Sequence, residues 1–284
     1  MNSLLFALWN FHIIAESLPI SSSGHLTLIQ KLYNYVKHTS LQEPKVGVKT
    51  AYFSDDEEHI MHIPTLIIIA LFLGRYIPQW TDHSSYELLK SWIIPLCITN
   101  GITGSLYLIV RKKTVKKFPL YLGFFITGCL LLVLSSVAYG TVTTLSVRDA
   151  ILLGGAQSCA LLPGISRLAV TFAAGIAMSL DPRISILFSL SAEILLIVVA
   201  VSKVLLGSQF PANSTQIKSS FFTLSFFQYV LLLVTSSISY KSLAWIAHLF
   251  IAKKSFPFAA YMLILAVLVL ISKIATHKQT VHKE

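Results

Sequence analysis

Glu16, Ser22 and His25 lie close together in an otherwise apolar stretch. A carboxylate, a hydroxyl and an imidazole together make a nucleophile and acid–base set. His25 follows Ser22 by three residues, so a helix puts both on one face. Pro19 stops an incoming helix, and Ser21, Ser22 and Ser23 can cap an outgoing one. The free N–H groups at the start of that outgoing helix attract anions, phosphate above all. A second apolar stretch is interrupted in the same way, by Pro163-Gly164-Ile165-Ser166-Arg167. There Ser166 can cap, Thr171 lies on the following helix, and Arg167 offers a planar fork of donors for phosphate oxygens.

Plainer roles stay open at this level. The serines can serve as caps alone, and His25 can join two helices by a hydrogen bond. Arg167 can bridge to Glu16 or Glu193, and Gln157 can donate to a phosphate or between helices. His12 lies one turn before Glu16 on the same face, and His62 begins a span where it is expected to line a cavity. Glu193 lies in mid-span, where a carboxylate must be protonated or paired, with His12 as one candidate partner. Ionisable groups at membrane depth are expensive, which argues that Glu16, His25 and Arg167 have functional roles.

The elements that must position these residues are membrane helices. The chain has 284 residues, 55% of them hydrophobic and 12% charged, with a mean hydropathy of +0.72. A soluble domain carries roughly 25% charged residues. Apolar runs long enough to cross a bilayer lie near residues 60–80, 91–110, 118–141, 184–206, 225–250 and 257–275. The broken stretches, 3–36 and 150–180, consist of halves too short to span, which suits re-entrant hairpins. Two such interruptions, one in each half of the chain, are the pattern of an inverted repeat. The expected fold is an all-α integral membrane protein in one domain, with about six transmembrane helices and two re-entrant hairpins. Its half-repeats are about 1–141 and 149–275. Three full spans separate the hairpins, so they enter from opposite faces. Polar stretches at 37–58 and around Asp82, His83 and Glu87 read as loops.

The net charge of +10 does not indicate a nucleic-acid partner. The basic residues sit at the ends of apolar runs, as in Arg111, Lys112, Lys113, Lys116 and Lys117, where they suit a cytoplasmic face and anionic membrane lipids. The N-terminus and C-terminal tail share that side, with Lys253 and Lys254 opposite. Cys97, Cys129 and Cys159 form no ligand cluster and read as buried, unreactive thiols. The first apolar stretch lacks a basic leader region, so no cleavable signal is expected.

The two interruptions resemble the signatures of the undecaprenyl-pyrophosphate phosphatase family, also known as the bacitracin-resistance protein family. The first is Glu16-Ser17-Leu18-Pro19-Ile20-Ser21-Ser22-Ser23-Gly24-His25-Leu26. The second is Gln157, Ala160, Pro163-Gly164-Ile165-Ser166-Arg167 and Thr171. Weaker echoes are His62-Ile63-Pro64-Thr65, Phe188-Ser189 and Pro257-Phe258-Ala259-Ala260-Tyr261. The resemblance implies removal of the terminal phosphate from a C55 polyprenyl diphosphate in the bacterial plasma membrane, at a site open to the outer face. It makes Ser22 the candidate nucleophile, with His25 as partner, although histidine or water can also fill the nucleophile's place. Glu16 becomes a base or a ligand to a divalent cation, Mg²⁺ or Ca²⁺. Arg167 becomes the diphosphate holder, supported by Ser166 and Thr171, with Ser21, Ser23, Gln157 and His62 as further substrate contacts. No organic cofactor is expected, and the oligomeric state is left open.

The chain departs from the family pattern at His12, which replaces a glutamate, at Leu168-Ala169, which replaces Ser-Gly, and at Met262, which replaces an arginine. The loss of one carboxylate weakens the expectation of a metal, and Glu193 is the candidate replacement charge. The alternative function is a non-catalytic polyprenyl-phosphate binder or flippase on the same fold. A different membrane phosphatase superfamily with a Ser-Gly-His triplet is set aside, because Ala173 stands where its second histidine belongs and no Lys-x6-Arg-Pro precedes the triplet.

Overall fold

The computed structural model describes residues 3–40, 60–81, 85–109, 118–206 and 224–281. The acidic run 55–58, Asp82 and His83, and the basic run 111–117 lie outside the described residues. The first half contains α1 (Ser3–Glu16), α2 (Ser22–Ser40), α3 (Ile63–Trp80), α4 (Ser85–Ile109) and α5 (Leu120–Leu134). The second contains α6 (Val147–Cys159), α7 (Arg167–Ala177), α8 (Pro182–Leu206), α9 (Phe226–Ile251) and α10 (Phe256–Val281). Among the described residues, each half is therefore a broken helix pair followed by three further helices.

Part of the packing repeats between the halves. Exchanging α1–α5 for α6–α10 maps the packed pair α4/α6 onto α9/α1, and α3/α9 onto α8/α4. The pairs α3/α8 and α5/α10 map onto themselves. Hydroxyl groups tie the incoming arm of each pair to a long helix. Thr99 and Thr103 of α4 donate to the Ala150 and Gly154 carbonyls of α6 at 3.0 and 3.3 Å. Ser239 of α9 donates to the Ile13 carbonyl of α1 at 2.8 Å. Such bonds hold helices together where apolar burial alone cannot, because lipid is as apolar as the side chains.

Among the described residues, five helices are long and apolar enough to cross a membrane: α3, α4, α8, α9 and α10. Their outer faces carry large exposed apolar residues, such as Leu108, Val199, Phe227 and Leu233, which suits lipid contact. The protein is therefore a multi-pass membrane protein. The sixth expected span, 118–141, is shorter than its sequence implied, because α5 ends at Leu134. Ser135 donates back to the Leu132 carbonyl at 2.6 Å, and Ser136, Gly140 and the following threonines favour irregular backbone. The chain then runs extended, and Val142 bonds to Ser179 and Asp181 beyond α7. Residues 85–87 belong to α4 rather than to a loop. The cysteines also differ from expectation: Cys97 and Cys159 lie on the outer surface and Cys129 is half-buried, all three free. Cys97 and Cys159 sit on helix faces turned away from the core.

Candidate active site

Both interruptions end in a serine cap. The Ser21 hydroxyl accepts from the Gly24 N–H at 3.1 Å at the start of α2. The Ser166 hydroxyl accepts from the Ala169 N–H at 3.4 Å at the start of α7. The two helix starts meet because three glycines leave room. A Cβ on Gly24 would lie 2.8 Å from the Gly164 Cα, and one on Gly123 would lie 2.1 Å from the Pro163 carbonyl oxygen. Gly164 itself has a φ of +92°, a conformation that glycine adopts without steric cost. The tight turn thus lies between α2 and α5.

Thr127 of α5 secures the second break, and sequence reasoning missed it. Its buried hydroxyl donates to the Gly164 carbonyl and accepts from the Ser166 N–H, each at 3.0 Å. The available signal was a lone hydroxyl in an apolar run, which is weak because threonine also bonds within its own helix.

Between the helix starts lies a cavity of about 90 Å³, lined by residues from both halves. Ser21, Ser22, Ser23, Glu16, His12 and His62 come from the first half, and Ser166, Arg167 and Glu193 from the second. Glu16 Oε1 lies 2.7 Å from His62 Nδ1 and 3.3 Å from His12 Nε2. His12 Nε2 and His62 Nδ1 are themselves 3.4 Å apart. Arg167 donates through one terminal nitrogen to Glu193 Oε1 at 3.1 Å. The Arg167 side chain keeps 32% of its exposure, against 9% for Glu193. Glu193 therefore pairs with Arg167, while His12 pairs with Glu16 and His62.

Three expected site residues do not line the cavity. His25 packs behind it, with Nδ1 2.7 Å from the Ser21 carbonyl oxygen and Nε2 2.8 Å from the Tyr261 hydroxyl. Its ring stacks on Tyr261, and both nitrogens are engaged away from Ser22. Gln157 donates to Asn100 at 3.2 Å, a bond between α6 and α4. The Thr171 hydroxyl returns to the Arg167 carbonyl at 2.8 Å. The helical spacing that places His25 near Ser22 is correct, but α10 supplies a nearer partner. Met262, beside Tyr261, is fully buried in the core.

A helical membrane protein with two capped helix starts, a guanidinium and a carboxylate–imidazole cluster around one cavity has the parts of a lipid-phosphate site. Residues 12–268 match the family described as bacitracin resistance protein BacA, and the chain belongs to that family. It is similar to undecaprenyl-diphosphatase 3 of Frankia casuarinae, with 26% identity over 90% of this chain and 91% of the relative. Undecaprenyl-diphosphatase 1 of Shouchella clausii is 26% identical over 91% of each chain. The undecaprenyl-diphosphatase of Methanosphaera stadtmanae is 30% identical over 64% of this chain and 70% of its own.

Proposed function

We propose that this protein is an undecaprenyl-diphosphate phosphatase, releasing inorganic phosphate from a C55 polyprenyl diphosphate and leaving the monophosphate lipid carrier of cell-wall synthesis. The observation that carries the reading is the single cavity joining Ser22, Glu16 and Arg167 at the starts of α2 and α7. Family membership and the names of its relatives support it.

In this reading the prenyl tail stays in lipid and the diphosphate enters the cavity. The exposed part of Arg167 and the free N–H groups of both helix starts take its oxygens and stabilise the charge that develops in transfer. Ser22 Oγ attacks the terminal phosphorus and gives its proton to the Glu16–His62–His12 cluster. The bond from phosphorus to the bridging oxygen breaks, and the monophosphate lipid leaves. Water then cleaves the serine phosphate, its proton passing to the same cluster. A water activated by Glu16 is the other nucleophile that this cavity accommodates. His25 acts through Ser21 as a positioning residue. Gln157 and Thr171 act on the helices that carry the site rather than on substrate.

The matching helix pairs support two half-repeats, about 1–141 and 149–275, and paired interrupted segments are the pattern of an inverted repeat with hairpins entering from opposite faces. Family membership supports a position in the bacterial plasma membrane with the cavity open to the outer face, and the clustered basic residues suit the cytoplasmic side.

One observation favours a binder or flippase instead: His25 does not meet Ser22. The deciding experiment is phosphate release from a C55 diphosphate by the purified protein. Release that falls in Ser22→Ala and Arg167→Ala supports the phosphatase. Complete loss in Ser22→Ala points to serine attack, and a remaining slow rate points to water. Binding of the lipid without release would give first place to the binder.

A further inference from the structure

A hard cation does not suit the residues present. Mg²⁺ and Ca²⁺ prefer oxygen donors, and they are held by carboxylates, carbonyls and water. Here Glu16 is the one carboxylate among three converging donors, and the other two are imidazole nitrogens. Imidazole suits zinc and the neighbouring first-row metals.

The three atoms lie close enough together for one ion to touch all of them. Their separations are 2.7, 3.3 and 3.4 Å. A circle through them has a radius of about 1.8 Å, so an ion ~2.0–2.1 Å from each donor, the usual zinc distance, stands ~0.9 Å off their plane. A tetrahedral ion then keeps one position open. All three side chains are largely buried, with 1%, 5% and 14% of their surface exposed for His12, Glu16 and His62. A second observation is independent of that triangle. Glu16 Oε2 is buried without a hydrogen-bond partner, an unsatisfied acceptor on the ligating carboxylate itself.

We propose that His12, Glu16 and His62 form a site for a borderline divalent transition-metal ion, of the zinc type, in place of a Mg²⁺ or Ca²⁺ site. Two nitrogens and one oxygen hold the ion, and its open position is available to water or a phosphate oxygen. The site stands on its own donors and does not depend on the phosphatase reading; with an ion bound, Glu16 Oε2 is the carboxylate oxygen left to accept a proton.

The test uses the full, tag-free chain in detergent, stripped with chelator and reloaded with Zn²⁺, or with Co²⁺ as a visible-absorbing probe. The expected result is about one ion retained per chain after desalting, and Co²⁺ bands of a low-coordinate nitrogen–oxygen site. His12→Ala and His62→Ala should each weaken retention at least tenfold while eluting as the wild type does. His248→Ala, remote from the site, should retain the ion. A large excess of Mg²⁺ or Ca²⁺ should not displace it. His12→Glu, which hardens the donor set, should shift preference toward Mg²⁺ and Ca²⁺, and this arm holds even if an alanine variant misfolds. No retained ion in wild type, or equal retention in folded His12→Ala and His62→Ala, overturns the site. Because retention is read without turnover, failure here leaves the phosphatase reading intact. Absence of phosphate release likewise leaves the metal site intact.

Discussion

Thr127 is the sharpest test of how the second break is built. Its hydroxyl is fully buried and makes two bonds at 3.0 Å, one to the Gly164 carbonyl and one from the Ser166 N–H. Thr127→Val keeps the shape and removes both. Each backbone group left unpaired in a buried place costs about 1–3 kcal/mol, so the pair amounts to roughly 2–6 kcal/mol before relaxation. We expect about 2–4 kcal/mol of lost stability. The same loss loosens the cap that starts α7, where Arg167 sits. A group misplaced by ~1 Å can cost about a hundredfold in rate, so phosphate release should fall ten- to a hundredfold. Thr127→Ser keeps the hydroxyl and loses one methyl, worth about 0.8 kcal/mol, and should retain most activity. The assays are thermal unfolding followed by tryptophan fluorescence in detergent, and phosphate release from the C55 diphosphate. If Thr127→Val and Thr127→Ser behave alike in both assays, the threonine clamp does not position the site.

Gly164→Ala places a Cβ 2.8 Å from the Leu120 carbonyl at a positive φ, so the protein should lose several kcal/mol or fail to assemble, measured by yield and elution profile. Glu193→Gln removes the charge that holds Arg167 and should cut phosphate release at least tenfold. A Glu193→Gln enzyme as active as wild type would show that the ion pair does not aim the guanidinium. Arg167→Ala should be far more damaging than Arg148→Ala, whose side chain is exposed at the start of α6, and equal effects would move the site elsewhere. Tyr261→Phe removes the bond to His25 Nε2 and should lower release by a few-fold, as His25→Gln should. A collapse in His25→Gln beside an unaffected Tyr261→Phe would restore His25 as a proton carrier.

The two interruptions, the caps and the membrane helices were legible because each is written in a few neighbouring residues. Pro19 and the serines end one helix and start another, whatever surrounds them. The pair His12–Glu16 was legible for the same reason, being one helical turn apart. The end of α5 was less so, because Ser135 and Ser136 interrupt an apolar run that still has the hydropathy of a span. The cysteines also went the other way. In a membrane protein apolar residues face lipid as well as core, so apolarity does not report burial.

What only the tertiary structure decided is which partner each polar group meets. Glu16 draws in His62 from 46 residues away, Arg167 takes Glu193 at a separation of 26, and His25 bonds to Tyr261 at 236. Arg167 had two carboxylates within its possible reach by sequence, and His25 had a serine on its own face. A side chain's own helix sets the direction in which it points, but the choice among partners depends on which helix faces pack together. Here that packing is set by Gly24, Gly123 and Gly164, whose missing side chains let α2, α5 and the second break come into contact. The sequence by itself determined a membrane protein with two phosphate-attracting helix starts. The packing decided that they share one cavity, that His25 stands behind it, and that two imidazoles and a carboxylate converge within it.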